Sequence, residues 1–266
     1  MLPEMKPHFA PSDQELVVHR KLLADLAITL PRPLTMLVLG ATPELADLGL
    51  QHGCRVHVVD SSPSLLKAAE PRRTIADRSA ETVHCADWRQ ITPIQDASVD
   101  FVIGDAALNN VAPADQPDVF AELRRVTHRR SLFSLKQIVL PDLLPARYEF
   151  DHTLAAFRAG QLSDTEFYTI LRFASLSATL LQPDLHLLDS LQVFAAFEDK
   201  KNKGILSEAE FGFLNARRRE TQHTIFRQSD QRQLFQDHLG DCEILSPHGG
   251  CHYNDIFNIF RMTPRP

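Results

Sequence analysis

No window of about 18 uncharged apolar residues, the length a bilayer-spanning helix needs, occurs in this chain of 266 residues. The uncharged run from Phe173 to Pro183 is too short and too polar for that role. Cysteine is scarce: Cys54, Cys85, Cys242 and Cys251 show no framework spacing. That argues against a disulfide scaffold and fits a reducing compartment. The start, Met-Leu-Pro-Glu-Met-Lys, lacks the basic-then-apolar pattern of a secretory signal. A cytoplasmic protein with no membrane partner is expected. Positive charge is not in excess either, with 28 Lys+Arg against 34 Asp+Glu and a net charge of −6. The basic clusters (Arg124-Arg125, Arg129-Arg130, Lys200-Lys201 and Arg217-Arg218-Arg219) are short and read as solvated helix ends. Phosphate backbones call for clustered cations, so nucleic acid is not the expected substrate.

What remains is an ordinary globular composition, 44% hydrophobic and 23% charged. It suits one large domain, or one domain with a sizeable insertion. After a Pro-rich start, a helix is expected behind Ser12 or Asp13, with Leu16, Val17, Leu22, Leu23 and Leu26 at helical spacing and a stop at Pro31 and Pro33. From Thr35 the pattern alternates. Apolar runs at Met36–Leu39, Val56–Val59, Thr82–Cys85, Val99–Ile103 and Ser131–Leu140 read as five strands. Helix-sized segments lie between them, which implies a parallel sheet covered on both faces.

Between Tyr148 and about Phe226 the strand signal vanishes. Four helical segments are expected there: Tyr148–Ala159, Ser163–Leu181, Asp184–Lys200 and Ser207–Glu220, broken at Gly160, Pro183 and Gly204. One more helix (Asp230–Leu239) and two strands (Cys242–Leu245 and Ile256–Met262) follow. Because sheet elements resume, the block reads as an insertion. The expected organisation is a core domain over 1–147 and 227–266, with an inserted helical lid or substrate subdomain over 148–226.

Ligands of open parallel sheets bind beyond the carboxyl ends of the strands. Strand one ends in Gly40-Ala41-Thr42-Pro43-Glu44, and a Gly there lets backbone approach a ligand closely. Strand two ends in Asp60-Ser61-Ser62, whose carboxylate can accept from both hydroxyls of a ribose. Asp87 after strand three can accept from an exocyclic amine, while Trp88, the single Trp, can pack on a base. Strand four ends in Gly104-Asp105-Ala106. Taken singly, Asp60 reads equally as a helix cap, Trp88 as core and Asp105 as a turn residue. Their recurrence at matching strand ends is the argument for a site.

Together these segments resemble the class I S-adenosylmethionine-dependent methyltransferases. Leu37–Pro43 stands where that family has its glycine-rich first motif, Val58–Ser62 looks like its second, Cys85–Trp88 like its third and Asp100–Asp105 like its fourth. The segment Cys242–Met262 is similar to its antiparallel last hairpin. The resemblance implies a Rossmann-like, mostly parallel α/β sheet with an antiparallel last strand, and S-adenosyl-L-methionine as cofactor. It implies cofactor contacts from Gly40, Ala41, Thr42, Glu44, Asp60, Ser61, Ser62, Asp87, Trp88, Asp105 and Ala106. The first motif departs from the family pattern: Val38 takes the acidic position, and Thr42 and Glu44 replace two glycines. A nicotinamide dinucleotide fits less well. Its fingerprint needs three glycines, and Glu44 in the first helical turn would repel a pyrophosphate.

Two further patterns invite a metal-binding reading. Asp199–Glu210 fits a calcium loop at positions 1, 6, 9 and 12, but Lys201 and Lys203 stand where oxygen donors are needed. A helix–turn–helix around Gly204 accounts for the same residues. Cys242, His248, Cys251 and His252 crowd together, yet their spacing matches no common zinc site. No metal is expected. Methyl transfer to a small-molecule acceptor is an in-line displacement that needs alignment and exclusion of water. An acceptor of high pKa would also need a base, for which Asp105, His152 and His252 are the candidates. Phenylalanines of the inserted block either line an apolar pocket or pack its helices together. The other readings are a non-catalytic S-adenosylmethionine- or S-adenosylhomocysteine-binding or regulatory protein on the same fold, and an aminopropyl transferase, which would want more acidic residues beside Asp105.

Overall fold

The computed structural model describes residues 10–181, 186–218, 220–245 and 253–265. Helix α1 (Asp13–Thr29) starts from a reciprocal cap: Ser12 accepts from the Glu15 amide, and the Glu15 carboxylate accepts from the Ser12 amide. Its inward face is Glu15, His19, Leu22, Leu23 and Leu26, whereas Val17 lies on the solvent side. The apolar spacing placed Val17 in the core. Two polar side chains take the inner positions instead, because each finds a buried partner on the sheet.

The sheet strands are β1 (Thr35–Leu39), β2 (Arg55–Asp60), β3 (Glu81–Cys85), β4 (Val99–Asp105) and β5 (Thr127–Leu140), with helices α2 (Pro43–Gln51), α3 (Pro63–Ala69) and α4 (Gln116–Val126) between them. β1 pairs in parallel with β2 on one side and with β4 on the other; β2 continues to β3 and β4 to β5. The chain therefore builds outward from β1, returns, and builds the other way. That reversal opens a crevice beyond the carboxyl end of β1. The apolar residues of β1 and β4 alternate between two cores, one under α4 containing Leu37, Leu39, Val102 and Phe120, the other under α1 and α2 containing Met36, Val38, Phe101 and Leu23.

Between β5 and the end of the sheet lie α5 (Phe150–Arg158), α6 (Asp164–Ile170), a π-helical turn (Leu171–Ser175), α7 (Ser177–Leu180), β6 (Leu187–Asp189), α8 (Ser190–Asn202), α9 (Glu208–Asn215) and β7 (Gln222–Thr224). β6 and β7 form an antiparallel pair inside the block expected to be wholly helical. Three-residue strands carry no readable alternation, and the expected helix from Asp184 begins only at Ser190; residues 182–185, with the break at Pro183, lie outside the described residues. The expected helix Ser163–Leu181 is interrupted by the π turn. This block has its own core, including Tyr148, Phe167, Phe173, Phe194 and Phe197, so most of the phenylalanines do pack the helices together. Two residues of β8 (Phe226–Arg227) then pair with the end of β5. α10 (Gln228–His238) leads to β9 (Asp241–Leu245) and β10 (Phe257–Thr263), which run antiparallel to one another, with β10 antiparallel to β5. The main sheet order is β3-β2-β1-β4-β5-β10-β9, mostly parallel with an antiparallel end.

Candidate active site

At the carboxyl end of β1 the chain turns sharply. Gly40 takes a φ of +94°, and its carbonyl accepts from the Thr42 amide. A side chain there would be strained, so glycine is required. The tightened loop aims the Ala41 amide at Asp60, whose Oδ2 accepts it at 3.0 Å while Oδ1 accepts the Ser62 amide at 2.8 Å. Asp60 thus ties the ends of β1 and β2 together. An ionised carboxylate offers about four lone-pair positions, so two stay open toward the crevice.

Beside it is a cavity of about 330 Å³, with Asp60, Ser62, Asp87, Trp88, Asn110 and Val111 among its lining residues. That volume is at the lower end of small-ligand pockets, roughly 300–1,000 Å³. The Trp88 indole N–H donates to the Val59 carbonyl at 2.7 Å, so the ring is pinned by its polar edge at the crevice wall. Asp87 pairs with Arg89 at 2.7 Å, and Arg89 reaches on to Asp115 at 3.1 Å. The Arg89 hydrogen bonds hold the Asp87 carboxyl below its ordinary range. Arg89 and Asp115, also cavity-lining, were not singled out from the sequence, where nothing distinguishes them from surface charges.

The other expected contacts divide between two neighbouring places. Thr42 and Ala41 line a separate hollow between α2 and α3, and Glu44 pairs with Arg72 at 2.9 Å. The Asp105 side chain is nearly buried and pairs with Lys136 at 3.0 Å; Lys136 in turn holds Glu15 of α1 at 2.9 Å. Burial, opposed by Lys136, pushes the Asp105 carboxyl up to about 6. Ala106, next in the chain, has a φ of +52°, and its amide donates to the Lys136 carbonyl. A left-handed alanine is a strained position of the kind that collects at functional sites. Lys136 was missed, although a single cation inside the apolar run Ser131–Leu140 was a readable signal. Asn109 was also passed over. Its side chain donates to the carbonyls of Ile138 and Thr224 and accepts the Ile138 amide, joining β5 to β7 just beyond β4.

Of the base candidates, His152 lies on the exposed side of α5 with Nδ1 at 2.7 Å from the Ala146 carbonyl. His252, together with His248, Gly249, Gly250 and Cys251, lies outside the described residues. Among the described residues no group of three or more His, Cys, Asp and Glu side chains is arranged to hold a metal ion. In the calcium-like loop, Asp199 is engaged by Lys203 and Glu210 by Arg158.

Residues 39–135 match a family model described as a methyltransferase domain. The chain thus carries a methyltransferase domain over these residues. Three solved structures share the fold over nearly the whole length of the chain. A Rhodobacter sphaeroides protein described as a Zn-dependent alcohol dehydrogenase matches at 15% identity and a TM-score of 0.54, covering 97% of this chain and 92% of its own. The PH0226 protein of Pyrococcus horikoshii OT3 matches at 13% identity and 0.52, covering 98% and 97%. The 1,6-didemethyltoxoflavin-N1-methyltransferase of Burkholderia thailandensis, solved with 1,6-didemethyltoxoflavin and S-adenosylhomocysteine, matches at 12% identity and 0.50, covering 96% and 80%. No curated protein matches the chain. No helix of the described residues is long and apolar enough to cross a membrane.

The buried histidines make the stability of the chain pH-dependent. Burial, reinforced by Lys136, pushes His19 down to about 3; burial, reinforced by Arg172, pushes His223 down to about 4. Both stay neutral in the fold while the unfolded chain takes up protons below about pH 6.5. Their contribution is therefore complete above pH 6.5 and is lost as the pH falls toward 4 and 3. Asp105 works the other way, since a raised carboxyl regains stability as it protonates below about 6. Two groups against one leaves a net loss on the order of 3 kcal/mol between pH 7 and 5. Urea midpoints across that range check it, and His19→Gln should flatten the slope.

Proposed function

We propose that this methyltransferase transfers a methyl group to a small-molecule acceptor, with the adenosyl part of the cofactor in the cavity beside Asp60. The observation that carries the reading is the Asp60 carboxylate, fixed by two backbone amides at the reversal of strand order and lining the cavity there. Asp60 accepts the ribose hydroxyls, Ser61 and Ser62 line the ribose side, and the pinned Trp88 ring with Asp87 borders the base. Gly40, Ala41, Thr42 and Glu44 border the amino-acid end, together with Asp105 and Ala106. When bound, the cofactor supplies an electrophilic methyl group next to a positive sulfur, and an acidic rather than basic surround suits that charge.

The block over 148–226 acts as the substrate subdomain and cover, excluding water from the reacting atoms. Asp105 is the base candidate at the correct end of the sheet. It serves mainly through its pair with Lys136, which keeps the carboxylate oriented. His152, exposed on α5, takes part only if that helix closes over the acceptor, and His252 is the remaining candidate.

A binding protein without turnover is the second reading. It is favoured by the altered first motif, in which Thr42 and Glu44 stand in place of two glycines. Thermal unfolding with S-adenosylmethionine, S-adenosylhomocysteine and NAD tests both. Either adenosyl compound at about a hundred times its Kd should raise Tm by roughly 5–10 °C, with no shift from NAD. No shift with either would remove the cofactor assignment, and a shift without methylated product from any acceptor panel would favour the binding reading.

A further inference from the structure

The inserted block buries a positive charge that, among the described residues, no carboxylate balances. Arg172 sits in the π turn and is only 2% exposed. Its Nη1 donates to the Tyr168 hydroxyl at 2.6 Å, and its Nη2 donates to Ser190 Oγ at 2.6 Å and, at a longer 3.3 Å, to Thr221 Oγ1. Among the described residues no Asp or Glu pairs with it, and its Nε has no partner. Phe173 and Tyr168 place ring faces near the guanidinium, at 4.8 and 5.7 Å to their centroids. Rings and neutral hydroxyls offset part of a buried charge; a guanidinium with five N–H donors and three such contacts has capacity left.

The surroundings are arranged for that capacity. The π turn widens the helix so that Leu176 bonds back to Leu171, and Ser177 covers the freed Arg172 carbonyl. Such turns recur at functional sites. His223, neutral as described above, approaches Thr221 Oγ1 through Nε2 at 3.2 Å, while its buried Nδ1 is a second orphan. Ser190 and Thr221 lie 3.1 Å apart. Thr221 is exposed, so the cluster reaches solvent through the residue that makes the weakest contact to Arg172.

We infer that Arg172, Ser190, Thr221 and His223 form a binding site for a small oxyanion, of the carboxylate or phosphate class, entered past Thr221. The incoming oxygens take the Nε and Nη2 donors and displace the long Thr221 contact. The site is separate from the Asp60 cavity, but β7 links them: His223 is flanked by Thr224, whose hydroxyl donates to the carbonyl of Val111 in the cavity wall. Occupancy therefore bears on the position of β7 against that wall.

The test needs no cofactor, so its failure is distinct from failure of the methyltransferase reading. Tm of the full chain is measured against sodium acetate and against inorganic phosphate, each at ionic strength matched with chloride. One of the two should give a saturable rise of about 2–5 °C in the millimolar range. General salting effects do not saturate and persist in variants, whereas this rise should vanish in Arg172→Met and weaken several-fold in Thr221→Val. A response to acetate alone assigns the carboxylate of an organic ligand; a response to phosphate alone assigns a phosphoryl group. If Arg172→Met does not fold, Thr221→Val, a change at an exposed position, carries the comparison. No saturable rise with either anion, or equal rises in wild type and both variants, overturns the inference and leaves Arg172 as a purely structural cation.

Discussion

Asp60→Ala should abolish useful affinity for S-adenosylmethionine. The carboxylate is fixed at the crossover by two backbone amides, and two hydrogen bonds from hydroxyls to a charged group contribute about 3–5 kcal/mol together. Calorimetric titration should therefore show a roughly 10²–10⁴-fold rise in Kd. The same substitution leaves the Ala41 and Ser62 amides without acceptors, which costs about 1–3 kcal/mol of stability. The two effects separate in Asp60→Asn. Its amide oxygen keeps one acceptor, so stability should largely recover while affinity stays at least tenfold down. An Asp60→Ala protein that folds and binds as tightly as wild type would move the adenosyl site away from this crossover.

Much of this architecture was legible because the sheet strands are continuous apolar runs that stop at small or acidic residues. Leu39-Gly40, Val59-Asp60 and Ile103-Gly104-Asp105 mark three strand ends that lie side by side in the fold. What escaped notice has a common physical origin. Glu15, His19 and Lys136 are polar residues at inward positions, and polarity alone argues for the surface. They are inside because they satisfy one another or a neighbour: Lys136 lies between Glu15 and Asp105, and His19 Nδ1 is 2.7 Å from Ser134 Oγ. The pairings made by α1 join residues more than a hundred positions apart, and Lys136 and Asp105 lie on different strands, so no local window contains them. Trp88 shows the same limit, since its bond to Val59 is a tertiary fact. The β6–β7 pair was invisible for a simpler reason: three residues are too few to display a period.

Asp100 and Asp105 were read within one motif, yet they stand at opposite ends of β4 and answer to different needs. Asp100 is fully buried at the end away from the crevice. Arg32 reaches both its oxygens, at 2.9 and 2.6 Å, the Thr35 amide donates at 2.8 Å, and His128 Nε2 lies at 2.8 Å. This one carboxylate thus fastens the loop after α1, the start of β1 and the start of β5 to β4. Removing this carboxylate leaves the Thr35 amide without its acceptor, while Arg32, half exposed, returns to water, so the loss is about 1–3 kcal/mol. Asp100→Ala should lower stability by that amount, an appreciable share of the roughly 5–15 kcal/mol typical of a whole domain. Asp100→Asn should cost less, because it retains an acceptor for the Thr35 amide while losing the bidentate Arg32 pair. Cofactor affinity extrapolated to the folded fraction should not change in either variant, since the Asp60 crossover lies at the far end of the sheet. Urea denaturation with parallel titration reads both quantities. A stable Asp100→Ala protein would mean that the Arg32 and His128 contacts add nothing beyond the packing of β4 itself.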